Sequence, residues 1–189
     1  PGTKGGKWKF RQLFLNGQRQ IRARFPKFDP DKPLYGGWAF TESLDEAARY
    51  DAFKYNPGIF PRHWEKPTEG EVYLVHNYGV TNIMPIKAID EENCVITLVN
   101  RVISHEIYPW YIKTAIASNY RFYVENVLEE LGQPGEWCVD SEEGILYYWP
   151  PTESIEEAEV VAPVLDCLVD LCDASFITIS GFTFTETTT

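Results

Sequence analysis

Long apolar runs, clustered basic residues and metal-ligand spacings are all missing from this chain of 189 residues. No stretch approaches the roughly 18 consecutive apolar residues that a membrane-spanning helix needs, so no membrane partner is expected. The net charge is −11, and no cluster of Lys and Arg longer than the scattered set Arg19, Arg22 and Arg24 stands out. Such a balance repels phosphate backbones and argues against nucleic acid as a partner. Cys94, Cys138, Cys167 and Cys172 form no C-x-x-C pair and lie far in sequence from the three histidines, so neither a metal nor another cofactor is expected. Cys167 and Cys172 are five residues apart, which on a strand points the side chains to opposite faces; buried free thiols are the simpler expectation for all four. Ser-His-Asp order and phosphate-binding glycine loops are absent too, which removes the commonest enzyme classes.

What the chain has is rings and alternation. Aromatics make up 15% of it, with six Trp, eleven Tyr and eleven Phe, enough for sheet cores and for sugar-stacking surfaces. KFRQLFL and QRQIRARF flank Asn16-Gly17, the dipeptide that favours a two-residue hairpin turn, and neither face of the hairpin is purely polar. The runs from Glu71, Thr81 and Cys94 alternate as strands of an antiparallel meander. EWCVD, SEEG and ILYYWPP read as a last hairpin, closed by Pro150 and Pro151. Two helices are expected: a short one in SLDEAARY, capped by Ser43 and Glu46, and one over Tyr120–Leu131, where Phe122, Val124, Val127, Leu128 and Leu131 stand near helical spacing before Gly132 and Pro134. From Val160 onward, short apolar pairs broken by Asp173-Ala174 and Gly181 have the pattern of parallel β-helix coils, which cannot bury themselves singly. The first residues, PGTKGG, and the last, FTFTETTT, read as cuts in a longer chain.

Candidate chemistry is weighed against packing. Glu125 and Glu129 would share a helix face, which a solvated helix explains without catalysis. The loops of residues 26–70 carry Trp38 and Trp64 beside glycine and proline, and His63 adjoins Trp64; Trp110 and Tyr111 lie close to His105. These five, Trp38, Trp64, His63, Trp110 and Tyr111, are the candidate glycan contacts, with core packing as the competing use of every ring. Arg11, Arg19, Arg22 and Arg24 suit either an acidic uronate or the chain's own excess of carboxylates, and the second is the simpler expectation.

The runs FRQLFLNGQRQIRARFP (10–26), YVENVLEELGQPGEWCVDSEEGILYYWPP (123–151) and VVAPVLDCLVDLCDASFITISGFTF (160–184) resemble the right-handed parallel β-helix proteins related to glycoside hydrolase families 120 and 141. The resemblance implies a mainly β chain: an antiparallel β-sandwich with a short helix, followed by the start of a right-handed parallel β-helix. It divides the sequence into a tail over 1–5, an inserted β-sandwich-like domain over 6–155 and partial coils over 156–189. It further implies an extracellular or periplasmic protein acting on plant or algal polysaccharide, with xylosidase, xylanase or α-L-fucosidase activity, whose acidic pair lies on later coils outside this chain. The function expected is thus that of a non-catalytic accessory segment whose partner is the remainder of its own β-helix chain. A stand-alone carbohydrate-binding or adhesion module, and a small glycosidase using a carboxylate pair, are the alternatives.

Overall fold

The computed structural model describes residues 4, 10–44, 50–76, 79–102, 115–151 and 155–187. Its strands are β1 (Phe14–Leu15), β2 (Gln18–Arg19), β3 (Ile21–Arg22), β4 (Arg24–Phe25), β5 (Ala39–Glu42), β6 (Ala52–Tyr55), β7 (Glu71–Val75), β8 (Thr81–Asp90), β9 (Val95–Leu98), β10 (Arg121–Glu125), β11 (Glu136–Asp140), β12 (Ile145–Tyr148) and β13 (Val160–Val161). Among the described residues no α-helix forms; the two helical turns named are 3-10, at Pro67–Glu69 and Leu128–Glu130. No described helix is long and apolar enough to cross a membrane.

The seven-stranded sheet runs β4-β10-β5-β6-β9-β8-β7, and β7 pairs back onto β10. The ladder β10-β5-β6-β9-β8-β7 therefore closes on itself, so that its two halves face each other across one core, as the layers of a sandwich do. Strand β8 makes this possible by serving both halves: Thr81–Pro85 pair with β7, and Ile86–Asp90 pair with β9 across a register shift. Pro85, which has no amide to give, sits where the strand changes partner. Inward side chains follow the period of two: Val72 and Leu74, Met84 and Ile86, Ile96 and Leu98, Phe122 and Val124, all buried. Phe53 and Phe122 meet edge to face at 4.9 Å at the centre.

A second, smaller core holds Phe10, Leu13 and Trp137, with Phe10 stacked on Trp137 at 5.3 Å. Two three-stranded sheets cover it, β13-β1-β2 and β12-β11-β3. The Asn16-Gly17 turn forms as the sequence predicts, with φ of 49° and 74°, the left-handed pair a two-residue hairpin requires. Its second arm does not stay in the hairpin, however: β3 turns to pair in parallel with β11, and β4 joins β10 in the large sheet. One run of eight residues thus stitches three sheets together. β13 lies antiparallel beside β1, Phe14 opposite Val161.

Two expectations, the second helix and the burial of all four thiols, need correction, and the β-helix coils are not seen. The helix over Tyr120–Leu131 is instead β10 followed by a 3-10 turn, and Asn126, at φ 66°, breaks the chain between them. Glu125 and Glu129 accordingly do not share a helix face. Residues 162–187 form no strand, so the expected β-helix coils are not seen there, and Phe176, Phe182, Leu171 and Val164 stand exposed. Of the thiols, Cys138 is buried, Cys94 half-buried, and Cys167 and Cys172 are exposed; all four are free. The helix expected in SLDEAARY falls mostly on 45–49, outside the described residues.

Two of the buried polar side chains show how such groups are tied down. Glu136, fully buried, receives Lys27 Nζ at 2.9 Å and 3.0 Å and the Gly132 amide at 2.8 Å. Asn126 Nδ2 donates to the carbonyls of Glu69 and Val139, while its Oδ1 accepts from the Val139 amide at 2.8 Å. This side chain joins the two cores and needs both an amide donor and an amide acceptor. Asn126→Asp keeps the shape and the turn preference but removes the donor, leaving two carbonyls facing a carboxylate. Urea unfolding is expected to show a loss of about 2 kcal/mol or more.

Candidate functional site

The outer face of β7 and β10 carries a dense arrangement of carboxylates, tyrosines and arginines. Because Val72, Leu74, Phe122 and Val124 point inward, Glu71, Tyr73, Tyr123 and Glu125 point outward, and the register sets Glu71 opposite Glu125 and Tyr73 opposite Tyr123. Two carboxylates directly opposite on adjacent strands repel. Arg22, reaching in from β3, resolves this with Nη1 at 2.5 Å from Glu71 and 3.0 Å from Glu125; all three side chains are nearly buried. Arg11 adds a bond to Glu71 at 2.6 Å. Burial pushes the Glu71 carboxyl pKa up, but the hydrogen bond from Arg11 and the charge of Arg22 outweigh it and bring the group down to about 2.

The tyrosines stack almost parallel, 4.6 Å apart, and the Arg24 guanidinium lies over Tyr123 at 3.5 Å. Burial presses the pKa of Arg24 down, against the fields of Tyr123 and Glu125. Burial also raises the Tyr123 phenol well above its usual range, so it remains a protonated donor. Trp38, just before β5, continues the row at 5.3 Å from Tyr123 and has Arg24 and Arg121 over its ring at 5.8 Å and 5.2 Å. Its indole N–H is buried without a hydrogen-bond partner among the described residues. Between this face and the hairpin β1–β2 lies a cleft of about 630 Å³, lined by Arg11, Arg19, Arg22, Arg24, Tyr73 and Tyr123 together with Gln12, Gln20, Phe28, Ile83 and Glu125.

The expected glycan contacts do not form one surface. Trp64 is only 3% exposed: its ring packs on Phe60 at 4.4 Å and its N–H donates to Glu130 at 3.0 Å. Proline and glycine put it in a loop, as expected, but its side chain packs into the large core, so Trp64 is a core residue and not a surface platform. His63 is exposed and bonds Glu91 at 2.6 Å, a contact that raises its pKa. It borders a separate hollow of about 290 Å³ with Arg62, Phe60 and Cys94. Trp38 lies half-buried on the arginine-rich face, while Trp110 and Tyr111, with His105, lie outside the described residues. The arginine pairing expected as the simpler reading holds for Arg11 and Arg22. Tyr73 and Tyr123 were not among the expected contacts, and Tyr123 was hidden by the helical reading of its segment; the alternation in EVYLV was the available signal for Tyr73.

Carboxylates that shift from their ordinary pKa do so downward, at Glu71, Asp90 and Asp140, held by hydrogen bonds and cations. None of these three has the raised value that a glycosidase's proton donor uses. Residues 70–151 match the family model of the GH141 insertion domain. That span runs from just before β7 to the end of the last hairpin and includes Glu71, Tyr73, Tyr123 and Glu125, but not the four arginines of 11–24. A solved structure described as "Glycoside hydrolase" is similar to 87% of this chain with a TM-score of 0.60 and 21% identity, which speaks for the fold alone. This chain covers 28% of that chain's length. No curated protein matches. The chain is thus similar over residues 70–151 to the GH141 insertion domain, and similar in fold to part of a glycoside hydrolase.

The pH dependence of stability follows from Glu71. Its folded pKa of about 2 lies below the ordinary 4.5, so its stabilisation is complete above about 4.5 and is lost as the pH falls toward 2. The shift corresponds to about 3 kcal/mol at neutral pH. Urea midpoints are expected to stay level from pH 7 to about 5 and then drop. Glu71→Gln is expected to lower the neutral plateau and flatten that drop, and an unchanged acid limb would contradict the assignment.

Proposed function

We propose that this chain is a non-catalytic accessory segment of a polysaccharide-active glycoside hydrolase, and that the remainder of a longer β-helical chain is its partner. The observation that carries the reading is the insertion-domain match over residues 70–151, the part of the chain that builds most of the closed ring and the last hairpin. The likeness to a glycoside hydrolase of which this chain spans 28% agrees with it. On this reading residues 6–155 act as an inserted domain and 156–189 lead back toward the helix, where the apolar side chains of 164–184 gain cover by stacking on neighbouring coils. The chain's substrate is then met outside the cytoplasm, as plant or algal polysaccharide.

Activity measurements separate this from an independent glycosidase. The chain alone, and a longer form carrying the following coils, would be incubated with xylo-, fuco- and uronic-acid oligosaccharides, and released reducing ends counted. Turnover is expected in the longer form only. Turnover by the chain alone would sink the reading and turn attention to its own carboxylates.

A further inference from the structure

We infer that the cleft between the hairpin β1–β2 and the outer face of β7 and β10 binds a carboxylate-bearing sugar, a hexuronate unit of a polysaccharide. The sugar half of this inference rests on the glycoside hydrolase reading above; the anionic half rests on the cleft.

The chain as a whole carries −11, yet four of its arginines converge on one hollow. Two of them are spoken for, since Arg11 and Arg22 share Glu71 and Glu125. The other two are not neutralised in the same way. Arg24 donates to the carbonyls of Pro26 and Gly37, which take up its N–H groups without cancelling its charge, and to no carboxylate among the described residues. Arg19 stands exposed on β2 and makes no ion pair among the described residues. The result is a positive hollow in a negative protein, a local field that favours an anionic group there.

Shape and chemistry narrow the ligand. A volume of about 630 Å³ lies within the usual range for small-molecule sites. The stacked faces of Tyr73 and Tyr123 are occupied by each other and by Arg24, so they offer the cleft ring edges and hydroxyls and no stacking platform. A guanidinium fork matches a carboxylate in bidentate fashion, which places the sugar's acid group at Arg19 with Arg24 behind it. Glu125, Gln12 and the phenols are left for ring hydroxyls, and Ile83 and Phe28 for the apolar C–H face.

The test is calorimetric titration of the full chain with a galacturonate trisaccharide, with the neutral galactose trisaccharide and with inorganic phosphate. The acidic sugar alone is expected to bind with measurable heat. Arg19→Ala, at an exposed position where unfolding is not a concern, is expected to weaken it about tenfold or more, the loss of one charge-assisted contact. Tyr123→Phe keeps the stacked ring and removes only the hydroxyl, and is expected to weaken binding less. No binding of the acidic sugar, equal binding of the neutral one, equal binding of phosphate, or indifference to Arg19→Ala would each overturn the inference. Uronate binding by a chain whose longer form proves inactive would leave the cleft assignment standing and remove the hydrolase reading; hydrolysis by the longer form without uronate binding would do the reverse.

Discussion

Arg22 decides whether this fold can close. The ring of strands is completed where β7 meets β10, and the register of that join sets Glu71 directly against Glu125. Left alone, two partly buried carboxylates would push the join apart. One guanidinium nitrogen touches both, so the repulsion becomes a bridge, and Arg22 comes from β3, which belongs to the other core. The contact that closes the ring therefore also ties the smaller core to it. Buried ion groups of this kind add little net stability when complete, but removing one partner leaves an uncompensated charge, which is costly. The same side chain's Nε also reaches Asn126, 3.3 Å away, so the charged seam and the amide seam are continuous.

Many of the strand positions were legible from the sequence because alternation is local, whereas β5 and β6 lie within the run 26–70 that reads as loops. The Asn16-Gly17 hairpin, the meander from Glu71 to Leu98 and the hairpin around Ser141–Gly144 all formed where their patterns lie. The segment after Tyr120 misled because Phe122, Val124, Val127 and Leu128 fit two periods at once. Phe122 and Val124 fit a strand, Val127 and Leu128 belong to the turn beyond it, and the left-handed Asn126 between them is what separates the two. Nothing local announces that break, since the reasons for it, the carbonyls of Glu69 and Val139, are distant in sequence.

The site was legible only in pieces. The arginines of the first hairpin stood out by type, and their pairing with the chain's own acids was the natural expectation, yet which acids they would meet depends on how β7 and β10 align. Trp64 illustrates the opposite failure. Its loop context was read from proline and glycine neighbours, but burial depends on Phe60 and Glu130, and no short-range pattern encodes that partnership. Loop location and solvent exposure are separate properties, and a heavy ring flanked by apolar neighbours tends toward the core whatever its backbone does.

The antiparallel pairing of β1 with β13 brings Phe14 and Val161 to neighbouring places on one ladder, although nearly the whole chain lies between them. Mechanically, the chain between these two strands leaves and returns through places one ladder spacing apart, about 5 Å. Such a body behaves toward any polypeptide that carries it like the tip of a single oversized hairpin. A backbone that carried it would need to open no wider than for an ordinary turn, so the size of the cargo and the geometry of its attachment are independent of each other.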